Sequence, residues 1–167
     1  MSDKRFHGIY PARVVNNIDP NNMSRIQVSI ADVGGTLMST WALPCLPVTG
    51  RNMGMFTVPP IGSAVWVQFA RGETDYPIWL GGYYGNGEAP SLSRQVPPGV
   101  SGVTLQSQLG NGLVISDAPG GGILLKSASG AFIHISETGI TLDNGLGAKI
   151  EMAGSTVRVN GDALTVL

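Results

Sequence analysis

Glu73 and Asp75, in the run RGETDYP, are the nearest this sequence comes to the carboxylate pair that acid–base hydrolysis requires. The run reads more simply as a hairpin turn, and the two acids as turn residues. His134 stands in FIHIS. One imidazole from each of three chains could hold a metal ion, but the alternation gives Ile133 and Ile135 to the inner face and leaves His134 outside as a polar residue. Cys45, between Pro44 and Leu46, is expected to be a buried packing residue and not a reactive thiol. No serine lies in a Gly-x-Ser-x-Gly elbow. GNG occurs at 85–87 and 110–112 and PGGG at 119–122. Such runs cradle phosphate only when a helix follows, and none is patterned here. Trp66, Phe69, Trp79, Tyr83 and Tyr84 could stack bases, but the basic groove this needs is missing: cations do not cluster beyond Lys4–Arg5. These residues predict no catalytic residue, no cofactor and no metal, and therefore not an enzyme.

The elements that carry these residues are strands. Hydrophobic residues make up 43% of the 167 and charged residues only 13%, about half the usual share. Much of the surface must then be uncharged or covered. A net charge of −1 argues against binding many phosphates or an acidic membrane. The single cysteine permits no internal disulfide. No apolar run is long enough to span a bilayer, and MSDKRFHGIY has no signal-peptide core, so synthesis in the cytoplasm without a signal peptide is expected. The 24 glycines and 11 prolines, set among β-branched residues, punctuate short strands, and no stretch shows helical apolar spacing.

Two halves differ in rhythm. In 1–85, SRIQVSIA puts Ile26, Val28 and Ile30 on one face, and AVWVQFA puts Val65, Val67 and Phe69 on one face with Trp66 and Gln68 on the other. DPNN at 19–22 is a strong turn signal, and Pro77 demands a strand start or an edge. Four or five strands of this kind predict a small closed barrel. Residues 86–99, turn-forming throughout, are expected to be a linker.

The second half, 100–167, alternates in pieces of four to six residues: GLVIS, GILLK, AFIHIS, GITLD, AKIEM, TVRVN, ALTV. Ile123, Leu125, Ile133, Ile135, Ile140, Leu142, Ile150, Met152, Val157 and Val159 are expected on the inner face, with Leu164 and Val166 after them. Each strand buries too little by itself to offset its backbone entropy. A β-solenoid or prism closed by three copies around an axis would put those ten residues in a shared dry core. The chain ends on Ala163, Leu164, Thr165, Val166 and Leu167, an apolar end without a polar cap, and these five are expected to dock another protein.

DPNNMSRIQVSI, WALPCLPVTG and MFTVPPIGSAVWVQFARGETDYPIWLGGYYG, in that order, resemble the N-terminal domain of contractile-tail spikes: the phage baseplate assembly protein V family and the related VgrG spikes of type VI secretion. GAKIEMAGSTVRVNGDALTVL resembles the end of short spikes in that family. The resemblance implies an all-β chain with an OB-fold barrel followed by a trimeric β-helical needle. It implies a homotrimer in a virion tail baseplate or injection-system particle, standing on a separate hub protein, capped by a PAAR-repeat tip protein and touching the target envelope transiently. The fifteen-residue coil at 85–99 leaves no room for the lysozyme domain of some phage spikes. The His-x-His apex iron site of some short spikes has no counterpart, since His134 lacks a second histidine two positions on. A monomeric OB barrel binding nucleic acid or glycan is the alternative, and a cell-wall hydrolase the least supported reading.

Overall fold

The computed structural model describes residues 4–34, 38–161 and 163–166. The chain divides into two compact units, 1–87 and 88–167.

In the first unit β1 (Ile9–Asn16) is long and alternating. The chain then turns at DPNN, where the Asp19 carboxylate accepts the backbone N–H groups of Asn21, Met23 and Arg25. It returns as β2 (Gln27–Ser29), passes a short helix α1 (Ala31–Gly34), and continues through β3 (Leu43–Pro44), the small hairpin β4 (Thr49–Gly50) and β5 (Met53–Gly54), β6 (Ala64–Phe69) and β7 (Pro77–Gly82). The sheet runs in the order β2-β1-β6-β7-β3, with β3 parallel to β7. Bridges Ile26↔Ala42 and Ser29↔Met38 join β2 to the segment leading into β3, which closes the sheet into a barrel. The residues that alternation turns inward (Val14, Ile26, Val28, Val65, Val67, Phe69, Trp79) form the core. The Trp79 indole N–H donates to the Ser24 carbonyl at 3.0 Å inside it. Pro77 opens β7 and is fully buried, a position that costs no ladder donor.

The second unit is a single meander of β8 (Gly102–Gln106), β9 (Gly112–Ser116), β10 (Gly122–Lys126), β11 (Phe132–Ser136), β12 (Gly139–Asp143), β13 (Lys149–Ala153), β14 (Thr156–Val159) and β15 (Leu164–Val166). Each strand pairs antiparallel with its neighbours in sequence. The first four strands start ten residues apart, five for the strand and five for the loop. The five-residue loops carry glycine at the fourth place, with positive φ at Gly110, Gly120, Gly130 and Gly147. Two-residue turns at 137–138 and 154–155 replace the long loop further on.

The segment expected as a linker folds differently. Residues Ser91–Gln95 form a 3-10 helix in the second unit, with Leu92 buried. The Leu92 N–H donates to the Gln106 side chain at 2.8 Å, and the Ser116 hydroxyl donates to the Gln95 carbonyl at 2.7 Å. Leu92 lies against Gly112 and Val96 against Gly102, where a Cβ would leave no room. One leucine and one valine in a Pro- and Ser-rich run produce no periodicity, so composition alone reads as coil.

Candidate functional site

Strand register determines what the second unit presents. Ile123 pairs with Ile115 on one side and Ile135 on the other, and Leu125 with Leu113 and Ile133. The pattern continues as Ile135↔Ile140↔Met152↔Val157 and Ile133↔Leu142↔Ile150↔Val159. Val103↔Ile115 and Leu105↔Leu113 extend it at one end, Val157↔Val166 and Val159↔Leu164 at the other. All ten residues expected in a shared core therefore fall in two parallel rows on one face of the sheet.

That face is only partly covered in a single chain: of the ten, Ile140, Leu142, Met152, Val157 and Val159 are half-buried and the rest are exposed. Val103, Leu105, Ile115, Ile123, Leu125, Ile133, Ile135, Ile150 and Leu164 are between 38% and 57% exposed, against 5% or less for the core residues of the barrel. The two rows contain no charge and no hydrogen-bonding side chain up to Val159. A contiguous apolar surface of this extent on a folded chain marks a protein–protein contact. The opposite face differs. Its middle row reads Thr104, Val114, Leu124, His134, Thr141, Glu151 and Arg158. The 3-10 segment packs on β8 and β9, and Val114 is buried. Further along, Glu151 stands opposite Arg158, and the Lys149 ammonium donates to the Glu151 carboxylate at 3.0 Å. Beyond the part covered by the 3-10 segment this face carries polar and charged side chains, whereas the two rows carry none up to Val159.

Of the five residues expected to dock a partner at the end, Ala163 and Leu164 are exposed. The β15 backbone pairs with β14, placing Thr165 opposite Arg158 and Val166 opposite Val157; Leu167 lies outside the described residues. β15 is the last strand of the sheet order, with one backbone edge unpaired among the described residues.

The barrel carries a second uncovered surface. Residues 47–58, the arm around the β4–β5 hairpin, are exposed throughout, and they include Val48, Met53, Met55, Phe56 and Val58. The arm is fastened at its base, where the Asn17 side chain donates to the Pro59 carbonyl at 3.0 Å and the Ser24 hydroxyl to the Thr57 carbonyl. Periodicity gave no sign of this surface, although Met53, Met55 and Phe56 among turn residues were its available trace.

The residues with chemical potential are dispersed or engaged. Glu73 pairs with Arg5 at 2.6 Å, and that hydrogen bond holds its carboxyl below the ordinary value. Asp19 binds Arg25 at 2.6 Å with its side chain almost fully covered. The Arg25 hydrogen bonds, joined by the three backbone N–H groups, hold its carboxyl well below the usual carboxylate range, and Arg25 is raised in return. The His134 Nε2 meets the Gly121 carbonyl at 2.8 Å, so this nitrogen carries the proton. Among the described residues no three or more His, Cys, Asp or Glu side chains converge. Trp66 and Tyr83 stack on each other at 4.6 Å. Cys45 corrects an expectation: it is exposed, not buried. Its N–H donates to the Trp79 carbonyl at 2.9 Å, and Leu46, one residue on, packs against the core. The alternation of the strand thus turns the thiol outward.

Comparison with known families assigns both units. The model for the type VI secretion system/phage-baseplate injector OB domain matches residues 10–84. The model for the phage baseplate V C-terminal trimerisation domain matches residues 102–165, the span that holds both apolar rows as far as Leu164. No curated protein matches the chain.

Proposed function

Because this chain is a baseplate V-type, spike-like protein with the injector OB domain and the trimerisation domain in series, we propose that three copies form the central spike of a contractile tail or injection system, and that the spike punctures the target envelope. The observation that carries this reading is the pair of apolar rows. Three meander sheets that turn these rows toward a common axis bury them against their symmetry copies and leave the Glu151–Arg158 face in water. The ten residues from Ile123 to Val159 are then the axial core, and the winding into a β-helical prism belongs to the trimer, since one chain makes only an antiparallel meander.

A dry, close-packed axis resists bending, which supports a mechanical role. The exposed arm at 47–58 is the surface we assign to a hub protein, and the open edge and apolar residues at 163–167 the surface for a PAAR-type tip protein.

Light scattering coupled to size exclusion tests the reading: a trimer is expected, and a monomer would remove it. Deleting 163–167 is expected to leave the trimer intact and abolish binding of a tip partner produced alongside it. Tip binding that survives the deletion would overturn the docking assignment.

A further inference from the structure

Two leucines stand almost fully exposed. Leu146 is 88% exposed and Leu109 82% exposed, more than any other large apolar residue among those described. Each is the third residue of a five-residue loop, at 107–111 and 144–148. Each also sits four residues from both neighbours in the same apolar row: Leu109 between Leu105 and Leu113, Leu146 between Leu142 and Ile150. Both loops leave the same edge of the sheet, so the two tips project past the strand ends beside that row.

The loops do not need leucine there. Their backbones are closed by polar groups: Ser107 N–H to the Asn111 carbonyl at 2.8 Å, Gly110 N–H to the Ser107 carbonyl at 2.9 Å, and Asn144 N–H to the Ala148 carbonyl at 3.0 Å. The Asn144 side chain accepts the N–H groups of Leu146 and Ala148. The loop between them on that edge, 127–131, has the same carbonyl closure and carries Ser129 at the equivalent place. Serine is therefore sufficient for the turn, so the two leucines beside the apolar row extend its uncovered surface instead of serving the loop.

We propose that Leu109 and Leu146 reach across the seam to the neighbouring copy in the trimer and seal the corner between adjacent sheets. The inference rests on the trimeric reading above. The occupant is a second copy because the tips lie beside the apolar row assigned above to the contact between copies, and because the span matched as a trimerisation domain contains both. Without such plugs, water would enter the apolar rows from each corner, where a sheet ends on loops and not on strands.

Two measurements on the full chain test this. The first replaces Leu146 with the photo-reactive residue p-benzoylphenylalanine. Irradiation is expected to give adducts that join two chains at residues between 102 and 166, while the same residue at Arg158, on the opposite face, gives none. The second compares wild type with the double variant Leu109→Ser, Leu146→Ser by sedimentation equilibrium. Trimer association is expected to weaken by at least about a hundredfold, while Ser129→Ala leaves it unchanged. A wild-type trimer with no interchain adduct at 146, or a double variant that associates as tightly as wild type, overturns the proposal and leaves the trimer standing. A monomeric wild type overturns both. If the double variant fails to fold, the adduct decides.

Discussion

Ile133 stands directly opposite Leu142 on the next strand and directly opposite Leu125 on the previous one, in the middle of an apolar row whose members are exposed or half-buried. Introducing a charge here therefore tests assembly more than folding. If the rows face a threefold axis as proposed, Ile133→Lys brings three ammonium groups together without partners, at a cost of several kcal/mol each. The expected product is a monomer by light scattering in which the barrel retains its wild-type tryptophan fluorescence. A stable trimer of this variant would show that the row faces elsewhere.

Gly139 tests the close approach of neighbouring strands. Its φ is +142°, and a Cβ there would lie 2.0 Å from the Met152 carbonyl oxygen, a backbone atom that cannot yield alone. Gly139→Ala is expected to destabilise the C-terminal unit by more than about 1 kcal/mol, seen as a lower thermal midpoint. Gly154→Ala, where φ is +56° but no atom lies in the way, is expected to cost less.

Trp79 anchors the barrel through one buried hydrogen bond to the Ser24 carbonyl. Trp79→Phe keeps most of the packing and leaves that carbonyl without its donor. A loss of about 1–3 kcal/mol in urea unfolding is expected. A neutral substitution would mean that the indole contributes bulk only.

Asp19 predicts an acid limit. Its native carboxyl is held far below the unfolded value of roughly 3.9, chiefly by the hydrogen bond from Arg25. A depressed native pKa adds stability that is fully present above the unfolded pKa and is lost as pH falls toward the native one. Barrel stability is therefore expected to fall below about pH 4 more steeply in wild type than in Asp19→Asn. At pH 7 the variant is expected to be the less stable of the two. Parallel curves from neutral pH into acid would refute the assignment.

Much of this architecture could be read in the residue order because strand parity is local. Ile26, Val28 and Ile30, or Val65, Val67 and Phe69, alternate with polar neighbours, and the pleat alone sends each set to one side. The apolar residues from Ile123 to Val159 on one face were legible for the same reason, whereas Val103, Leu105, Leu113 and Ile115 were added to the rows only by strand register; turns such as DPNN and the repeated glycine loops marked where each strand must end. Leu92 was not legible, since a single apolar residue in a coil-like run acquires meaning only when Gly112 makes room for it.

By itself, the sequence determined the strands, their faces and the lack of any charge on the contact side from Ile123 to Val159, since each of these follows from residue type and a period of two. Tertiary structure alone decided which apolar residues stay bare: Met53 and Phe56 on the arm, and Leu109 and Leu146 at the sheet edge. Exposure depends on which element comes to lie over a side chain, and that information is spread over residues distant in the chain. The same split explains Cys45, whose apolar neighbours suggest burial but whose place just past β3, hydrogen-bonded to Trp79 of β7, turns it to solvent.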